Sequence, residues 1–415
     1  MSHYLVTGGA GFIGTNLVKK LLAEGHQVVV LDNYAAGRKL ERVIPGAVYV
    51  EGDIRDDSDL DKVCPNIDGI FHLAALPRVP FSVANPWLTH DVNVNGTLKV
   101  LLAAVRHKVK RVVFSSSSST YGAERSELLK EDAFLKRPIS PYALHKFMGE
   151  NYCRIFSSLY GIETVTLIYF NIYGPYFDPD GAYALVIGKF LKQIKNNEPM
   201  TVCGDGEYYR DYTHVSDVVG ANILAITSEK AGKGELINIG CGKPHTVNEL
   251  VNIIGGKFVH VSERSGDVRF SGADNTKAKE ILGWEPTIAL EDGIRQLKKD
   301  FGIVGDAHAG DKIRQVSLLA EESIAKMKAK GLKVNPGDFA ENITTQGIGL
   351  LSLGIGDRLS LGEDAVIAIS QIGKECHTRC NIYYQAGGCV MPTEGVFTRV
   401  LKGGTIRPGD TIEVI

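Results

Sequence analysis

At 415 residues, 44% hydrophobic and 23% charged, the chain has ordinary globular composition and room for two or three domains. Its 46 Lys and Arg against 48 Asp and Glu leave a net charge of −2, without the cationic excess of a phosphate-backbone binder, which excludes nucleic acid as the main partner. No apolar stretch nears the roughly 18 residues of a membrane span, and seven scattered cysteines make no secreted disulfide framework, so no membrane partner and a cytoplasmic location are expected.

The chain opens MSHYLVTGG, directly into a strand, with no basic segment ahead of an apolar run, so neither signal nor transit peptide is expected. HYLVT, QVVVL, AVYVEGD, GIFHLAA, RVVFSSS and ETVTLIYF read as buried parallel strands, and the stretches 11–24, 87–107 and 141–160 have helical length and period. Such alternation predicts an α/β fold, a doubly wound parallel sheet with helices on both faces, over about residues 1–170. From Asn171 to about Ile303 the elements shorten and glycines multiply, which predicts a smaller lobe closing over the end of the sheet. LGWEPTIALEDGIRQLKKDFGIV, a turn and an amphipathic helix, precedes a domain boundary expected near Ile303–Gly310. Beyond it, RLSLGEDAVIAISQIG and GTIRPGDTIEVI predict half-buried antiparallel strands, and so a second, mostly β domain over 304–415.

VTGGAGFIG joins the first strand to the first helix, with Gly8, Gly11 and Gly14 spaced by three. The first glycine permits a tight turn, the second admits a pyrophosphate, and the third lets helix and strand pack closely. A merely structural turn is the competing reading. Asp32 ends the next strand, eighteen residues past Gly14, where a carboxylate accepts both ribose hydroxyls and repels a 2′-phosphate. That favours NAD over NADP; a helix cap or turn is the alternative for this residue. Asp53, after the third strand, either caps a helix or hydrogen-bonds an adenine. Ser115–Ser119 end an apolar strand and so are expected to line the sheet's carboxyl edge rather than a free loop.

SPYALHK sets Tyr142 and Lys146 at i and i+4, on one helical face. A lysine beside a tyrosine is expected to lower the phenol's pKa and tune it as a base for removing a hydroxyl proton. By itself the pair could be an exposed helical contact. Its place after a dinucleotide fingerprint and a serine-ended strand favours chemistry.

TGGAGFIG, GDIRD, HLAA, NVNGT, FSSSSSTYG, SPYALHK, YFNIYGP, GDGEYYRDYTHVSD, NIGCG, RSGDVR and LGWEP occur in this order up to about residue 303. Together they resemble the extended short-chain dehydrogenase/reductases, specifically the UDP-hexose (UDP-glucose and UDP-N-acetylglucosamine) 4-epimerases. The resemblance implies tightly held NAD, a UDP-sugar substrate and a homodimer built through a helix bundle. It implies Tyr142 as base, Lys146 as its partner and ribose ligand, and Ser117 on the sugar O4. Gly8, Gly11, Phe12, Ile13, Gly14, Asp32, Asn33, Asp53, Ile54, Leu73, Ala74, Ala75, Asn93, Ser115 and Tyr169 would surround the cofactor, Asn93 in a buried structural or water-positioning role. Asn171, Arg210, Arg264, Asp267 and Ser271 would meet the nucleotide sugar, the arginines through charge-assisted bonds.

Two features narrow the reaction. Related dehydratases carry Asp and Glu where this chain has Ser118 and Ser119, which cannot serve as the acid and base for losing water. The position that gates sugar size in the family, seven residues beyond Arg264, is Ser271. A small residue there implies space for an N-acetyl group; packing in a strand is the alternative. Ile168 and Tyr176 stand where the family often has arginine, which leaves exact specificity open. The expected activity is epimerisation at C4 through a 4-keto intermediate, for UDP-GlcNAc/UDP-GalNAc first and UDP-Glc/UDP-Gal second. A sugar-nucleotide reductase or 5-epimerase, and a non-catalytic nucleotide-sugar-binding protein that docks the tail, are the rival readings.

In the tail, GDAHAGDKIRQVSLLAEESI, PGDFAENITTQGI, IGKECHTRC and CVMPTEGVFTRVLKGGTIRPGD resemble the MOSC domain of molybdenum cofactor sulfurases. That implies a barrel-like sheet in which Cys376 carries sulfur, with Arg314 and His377 keeping its thiolate reactive. Inert buried thiols are one alternative. Zinc on Cys376, His377, Cys380 and Cys389 is another, but the spacing fits no familiar finger, so no metal is expected. The epimerase-like helix runs straight into this segment, so the domain's first strands are expected to be missing.

Overall fold

The apolar runs near the start of the chain assemble as their lack of alternation requires. A strand buried on both faces belongs in a parallel sheet covered by helices. A computed structural model of the chain describes residues 1–122, 128–132, 136–177, 186–263, 268–300, 314–339, 341–373 and 389–415. Strands β1 (His3–Thr7), β2 (Gln27–Asp32), β3 (Val48–Glu51), β4 (Gly69–His72), β5 (Arg111–Ser117), β6 (Glu163–Tyr169) and β7 (Lys233–Ile239) form one parallel sheet, in the order β7-β6-β5-β4-β1-β2-β3. Helices α1 (Phe12–Ala23) and α4 (Val215–Thr227) cover one face, around Leu17, Val18, Leu21, Val218 and Ala221. On the other, α2 (Gly96–Arg106) and α3 (Pro141–Tyr160) pack through Val100, Leu101, Ala104, Cys153 and Phe156.

The chain runs from β1 to β3 in one direction and then restarts at β4 on β1's other side. The crevice at the carboxyl ends of β1 and β4 is therefore a topological switch point, where sheets of this kind bind ligands. One expectation needs correction. The strand reading ended with β6, but residues 215–239 return to the sheet as α4 and a seventh strand. That strand is an edge, half buried along its first part, so KGELINI lacks the continuous apolar run that marks the inner strands.

The rest of the lobe is built from short pairs: Thr213–His214 with Ile172–Tyr173, Met200–Cys203 with Phe258–Val261, and Tyr209–Arg210 between His245–Thr246 and Phe270–Ser271. By compactness the chain divides into Met1–Phe190 with Met200–Gly293, and Leu191–Pro199 with Ile294–Ile415. The boundary expected at Ile303–Gly310 lies outside the described residues.

In the second unit a six-stranded sheet buries Val316, Leu318, Leu359, Leu361, Ile367, Ile369 and Val396 against one another. RLSLGEDAVIAISQI forms the antiparallel pair Arg358–Leu361 and Ala365–Ile372, and Ile412–Val414 adds an outer strand. Ile343–Thr345 and Ile412–Val414 stand at opposite ends of that sheet, which is thus an open, barrel-like layer among the described residues. No helix among those residues is long and apolar enough to cross a membrane.

Candidate active site

Gly8 leaves β1 with a positive φ of 71°, and a Cβ there would lie 2.7 Å from the backbone nitrogen of Ala74, on the far side of the crevice. A Cβ on Gly14 would run into the Gly8 carbonyl oxygen. The glycines thus let the loop lie against β4 and let α1 start directly behind it. No side chain caps α1 at Gly11, where the helix starts directly after the glycine loop, with the half-buried Phe12 and Ile13 in its first turn. An uncapped helix start at a switch point suits a pyrophosphate, and the cradle fits a dinucleotide.

Asp32 accepts the Ala10 N–H at 2.9 Å and the Tyr34 N–H at 2.8 Å, so its carboxylate ties the glycine loop to the end of β2. Burial raises its pKa, while those two N–H groups and the Arg42 cation pull it down. Asp53 does not cap the following helix; Asp56 does, by accepting the Ser58 N–H. Instead Asp53 takes a hydrogen bond from Asn33 and a two-pronged ion pair from Arg55, which also reaches Asp91. The Arg55 guanidinium is the chief reason its carboxyl sits down at about 2. Ile54 is buried just beyond, while Leu73, Ala74 and Ala75 follow β4 half buried.

Asn93 is buried in a single π-helical turn, Asp91–Asn95. Its amide clamps the backbone of Leu76 from both sides, accepting the N–H at 2.8 Å and donating to the carbonyl at 3.1 Å. That is the structural side of its expected role. His72, which sequence reading passed over, connects this clamp to β1. Its ring bridges Thr7 and Thr97, and Thr97 donates to the Asn93 carbonyl. Full burial, and secondarily the Lys146 cation, push the His72 ring down to about 3, so it is neutral. The signal was present as a polar residue closing a fully apolar strand.

Ser140 caps α3 by accepting the Ala143 N–H, and Pro141 fits the first helical position, where its missing N–H costs nothing. Tyr142 therefore falls in the first turn, and Lys146 one turn on. The Tyr142 phenol meets the Ser117 hydroxyl at the end of β5. Lys146 Nζ donates to the Ser115 carbonyl at 2.7 Å and lies 4.9 Å from the Phe114 ring centroid. Ser115 Oγ and Tyr169 Oη are 3.1 Å apart, and Tyr169 also meets Asn222. The Ser117 hydroxyl further accepts from Ser119.

The electrostatics differ from the expectation that Lys146 lowers the Tyr142 phenol. Burial pushes that phenol up to about 12, the Ser117 hydrogen bond pulling the other way. Burial also brings the Lys146 ammonium down to about 8. An i,i+4 spacing fixes a shared face but not the direction of the ammonium, which here points to a backbone carbonyl.

In the lobe, Asn171, Tyr173, Cys203, Tyr208, Arg210 and Tyr212 line a cleft of about 210 Å³. Asp211 organises it by accepting the N–H groups of Cys241, Gly242 and Ala273. Asn171, at a φ of 31°, donates to the Asp211 carbonyl, and the Arg210 guanidinium lies 5.8 Å from the Tyr208 ring centroid. Ser271 pairs in register with Arg210 on the adjacent strand. Arg264 and Asp267 lie outside the described residues, as do Cys376, His377 and Cys380; Arg314 is half buried at the edge of the described tail. Ile168 is fully buried with Tyr121, Leu129 and Phe170, so this departure from the family pattern is an apolar packing position. The Tyr176 carbonyl accepts from Arg42.

A model of the NAD dependent epimerase/dehydratase family matches residues 4–240, and a MOSC domain model matches residues 305–413. A putative UDP-glucose 4-epimerase of Methanocaldococcus jannaschii is 38% identical over 301 residues, which are 71% of this chain and 96% of that protein. The UDP-glucose 4-epimerase of Thermotoga maritima, solved with UDP-glucose, is 39% identical with a TM-score of 0.67, over 71% of this chain and 96% of its own. A UDP-N-acetylglucosamine 4-epimerase from Methanobrevibacter ruminantium, solved with UDP-N-acetylmuramic acid, is 36% identical with the same TM-score and the same coverage.

Proposed function

Because the chain belongs to the NAD dependent epimerase/dehydratase family and carries a C-terminal MOSC domain, we propose that it is an enzyme that epimerises C4 of a UDP-hexose. UDP-GlcNAc/UDP-GalNAc is the first pair and UDP-Glc/UDP-Gal the second. The observation that carries this reading is the placing of Tyr142 and Lys146 one turn apart on α3, over the serine-ended strand β5 beside the switch-point crevice, with Lys146 fixed on the Ser115 carbonyl. When bound in that crevice, NAD supplies an electron-pair acceptor for C4 that returns what it takes, so the cofactor ends unchanged.

The protein's part is positioning and proton movement. Tyr142 takes the proton of the 4-hydroxyl and later gives it back, while Ser117 holds O4 within reach of the phenol. Asn171 and Arg210 grip the nucleotide portion from the lobe cleft, Arg210 through charge-assisted bonds. Ser118 and Ser119 form the short turn after β5 and bring no carboxyl group, which opposes dehydration.

Purified protein incubated with UDP-GlcNAc, without added NAD, should yield UDP-GalNAc on separation of the products. Net NAD turnover would favour the reductase reading, and binding without turnover the docking one. In the same assay Ser271→Tyr should suppress the N-acetylhexosamine reaction far more than the hexose reaction, because a ring beside Arg210 would fill the acetamido space. Equal losses on both would make Ser271 a packing residue.

A homodimer completes the proposal. Leu144, Met148, Tyr152, Ile155 and Leu159 form a helical stripe along α3, with Leu159 75% exposed. Trp87, Leu88 and Leu102 are exposed on the neighbouring helical segments. An apolar face of this extent suits a second copy of itself. Sedimentation should find a dimer that Ile155→Glu with Leu159→Glu dissociates; a wild-type monomer at micromolar concentration would remove the proposal.

A further inference from the structure

The proposed chemistry leaves one buried charge pair unused. Glu150 and Lys136 are 2% and 8% exposed, and Lys136 Nζ donates to Glu150 Oε2 at 2.7 Å. The other carboxylate oxygen accepts the Ser116 hydroxyl at 2.5 Å. Behind the pair, Lys136 Nζ lies 4.6 Å from the Tyr121 ring centroid, and Tyr121 donates to Asn238. A buried ion pair is a poor source of stability, since apolar residues of similar volume often replace it without loss. Its position suggests another purpose.

Tyr142, Lys146 and Glu150 stand at i, i+4 and i+8, on one stripe of α3. Each meets one of three consecutive residues of β5. Tyr142 meets Ser117, Lys146 the Ser115 carbonyl, and Glu150 the Ser116 hydroxyl between them. Around Lys146 stand Tyr142, Glu150 and Cys153 of its own helix, His72 of β4, and the Ser115 carbonyl and Phe114 ring of β5. Burial keeps the Cys153 thiol and the Tyr142 phenol neutral at about 12, and His72 neutral at about 3. Cys153 and then Glu150 are the two neighbours that favour the Lys146 ammonium against burial, and Glu150 is the carboxylic side chain in that set.

We propose that Glu150 is a positioning residue of this active site. It ties α3 to the middle serine of β5 and sets a formal negative charge near the Lys146 ammonium, with Lys136 holding that carboxylate in place. The activity readout below rests on the epimerase reading; the cofactor readout does not.

The test uses the full-length protein as purified, with Glu150→Gln and with the double variant Lys136→Met/Glu150→Gln. Three quantities are followed: the thermal midpoint, the pH above which bound NAD is lost on dialysis, and the pH–rate profile. Glutamine still accepts from Ser116 but carries no charge. In Glu150→Gln the alkaline limits of NAD retention and of kcat should both fall by about one pH unit, as for loss of a neighbouring charge. At the alkaline end kcat should drop about tenfold with KM little changed. The double variant leaves no unpaired buried cation, so it should regain the thermal midpoint and still keep the shifted limits. If Glu150→Gln is too unstable to purify, the double variant carries the test alone. Recovery of both stability and the wild-type limits in the double variant would reduce the pair to a structural contact and overturn the proposal, as would an unshifted profile in Glu150→Gln. If the wild-type protein epimerises nothing, the epimerase reading falls, and NAD retention alone decides the role of Glu150.

Discussion

Tyr142→Phe is expected to lower kcat by roughly 10²–10⁴-fold, the range for losing a positioned acid–base group, while UDP binding stays unchanged. At about 1.36 kcal/mol per decade this is about 3–5 kcal/mol of barrier. Phenylalanine fills the same buried space and loses only the hydroxyl that meets Ser117, so the fold should be undisturbed. The pH profile sharpens the expectation. With its phenol pushed up to about 12, Tyr142 holds its proton throughout the neutral range, so it serves as a base only after giving that proton up, and a nearby cation favours the phenolate that results. Lys146 supplies a positive charge below about 8 and loses it above. The alkaline limb of the wild-type profile should therefore fall near 8 and belong to the lysine. In Tyr142→Phe the residual NAD retention should keep that limb, because Lys146 and its bond to the Ser115 carbonyl are untouched. Near-wild-type turnover in the variant would remove Tyr142 from the mechanism.

What could be read from the chain and what could not divide along physical lines. The glycine spacing, the strand-ending Asp32 and the Tyr142/Lys146 pair follow from local backbone geometry, and local geometry is written in adjacent residues. The inner strands of the parallel sheet were legible as continuous apolar runs. The two outer strands differ: VYVE reads as a buried strand, but β3 is an edge with no buried residue, and KGELINI, the other edge, has a mixed pattern and does not read as a strand. Interactions between distant segments left little trace. Nothing near Glu150 indicates that Lys136 and Ser116 will converge on it, and the motif around His72 does not disclose a bridge between two threonines 90 residues apart. The sign of the electrostatic effect at Tyr142 was missed for the same reason. Spacing places two side chains on a face, but burial decides their charge, and burial is a property of the whole fold.

The other large effect is expected at the glycine loop. Gly8→Val should yield protein without bound NAD and without measurable epimerisation. Two costs combine. The φ of 71° puts any L-residue in the left-handed region, at about 1–2 kcal/mol, and a β-branched side chain is among the worst there. The new Cβ would also press on the Ala74 backbone, 2.7 Å away, and a backbone in the middle of the fold has no rotamer to escape by. Relief requires the end of β1 to move away from the Leu73–Ala74 backbone beyond β4, which would displace the start of α1. Gly25→Ala separates the two costs. Its φ of 81° is equally left-handed, yet nothing lies within 4 Å of its would-be Cβ. That variant should pay the backbone strain alone, lose a little thermal stability, and retain NAD and activity. If Gly8→Val keeps its cofactor as well as Gly25→Ala does, the crevice between β1 and β4 is not where the dinucleotide sits.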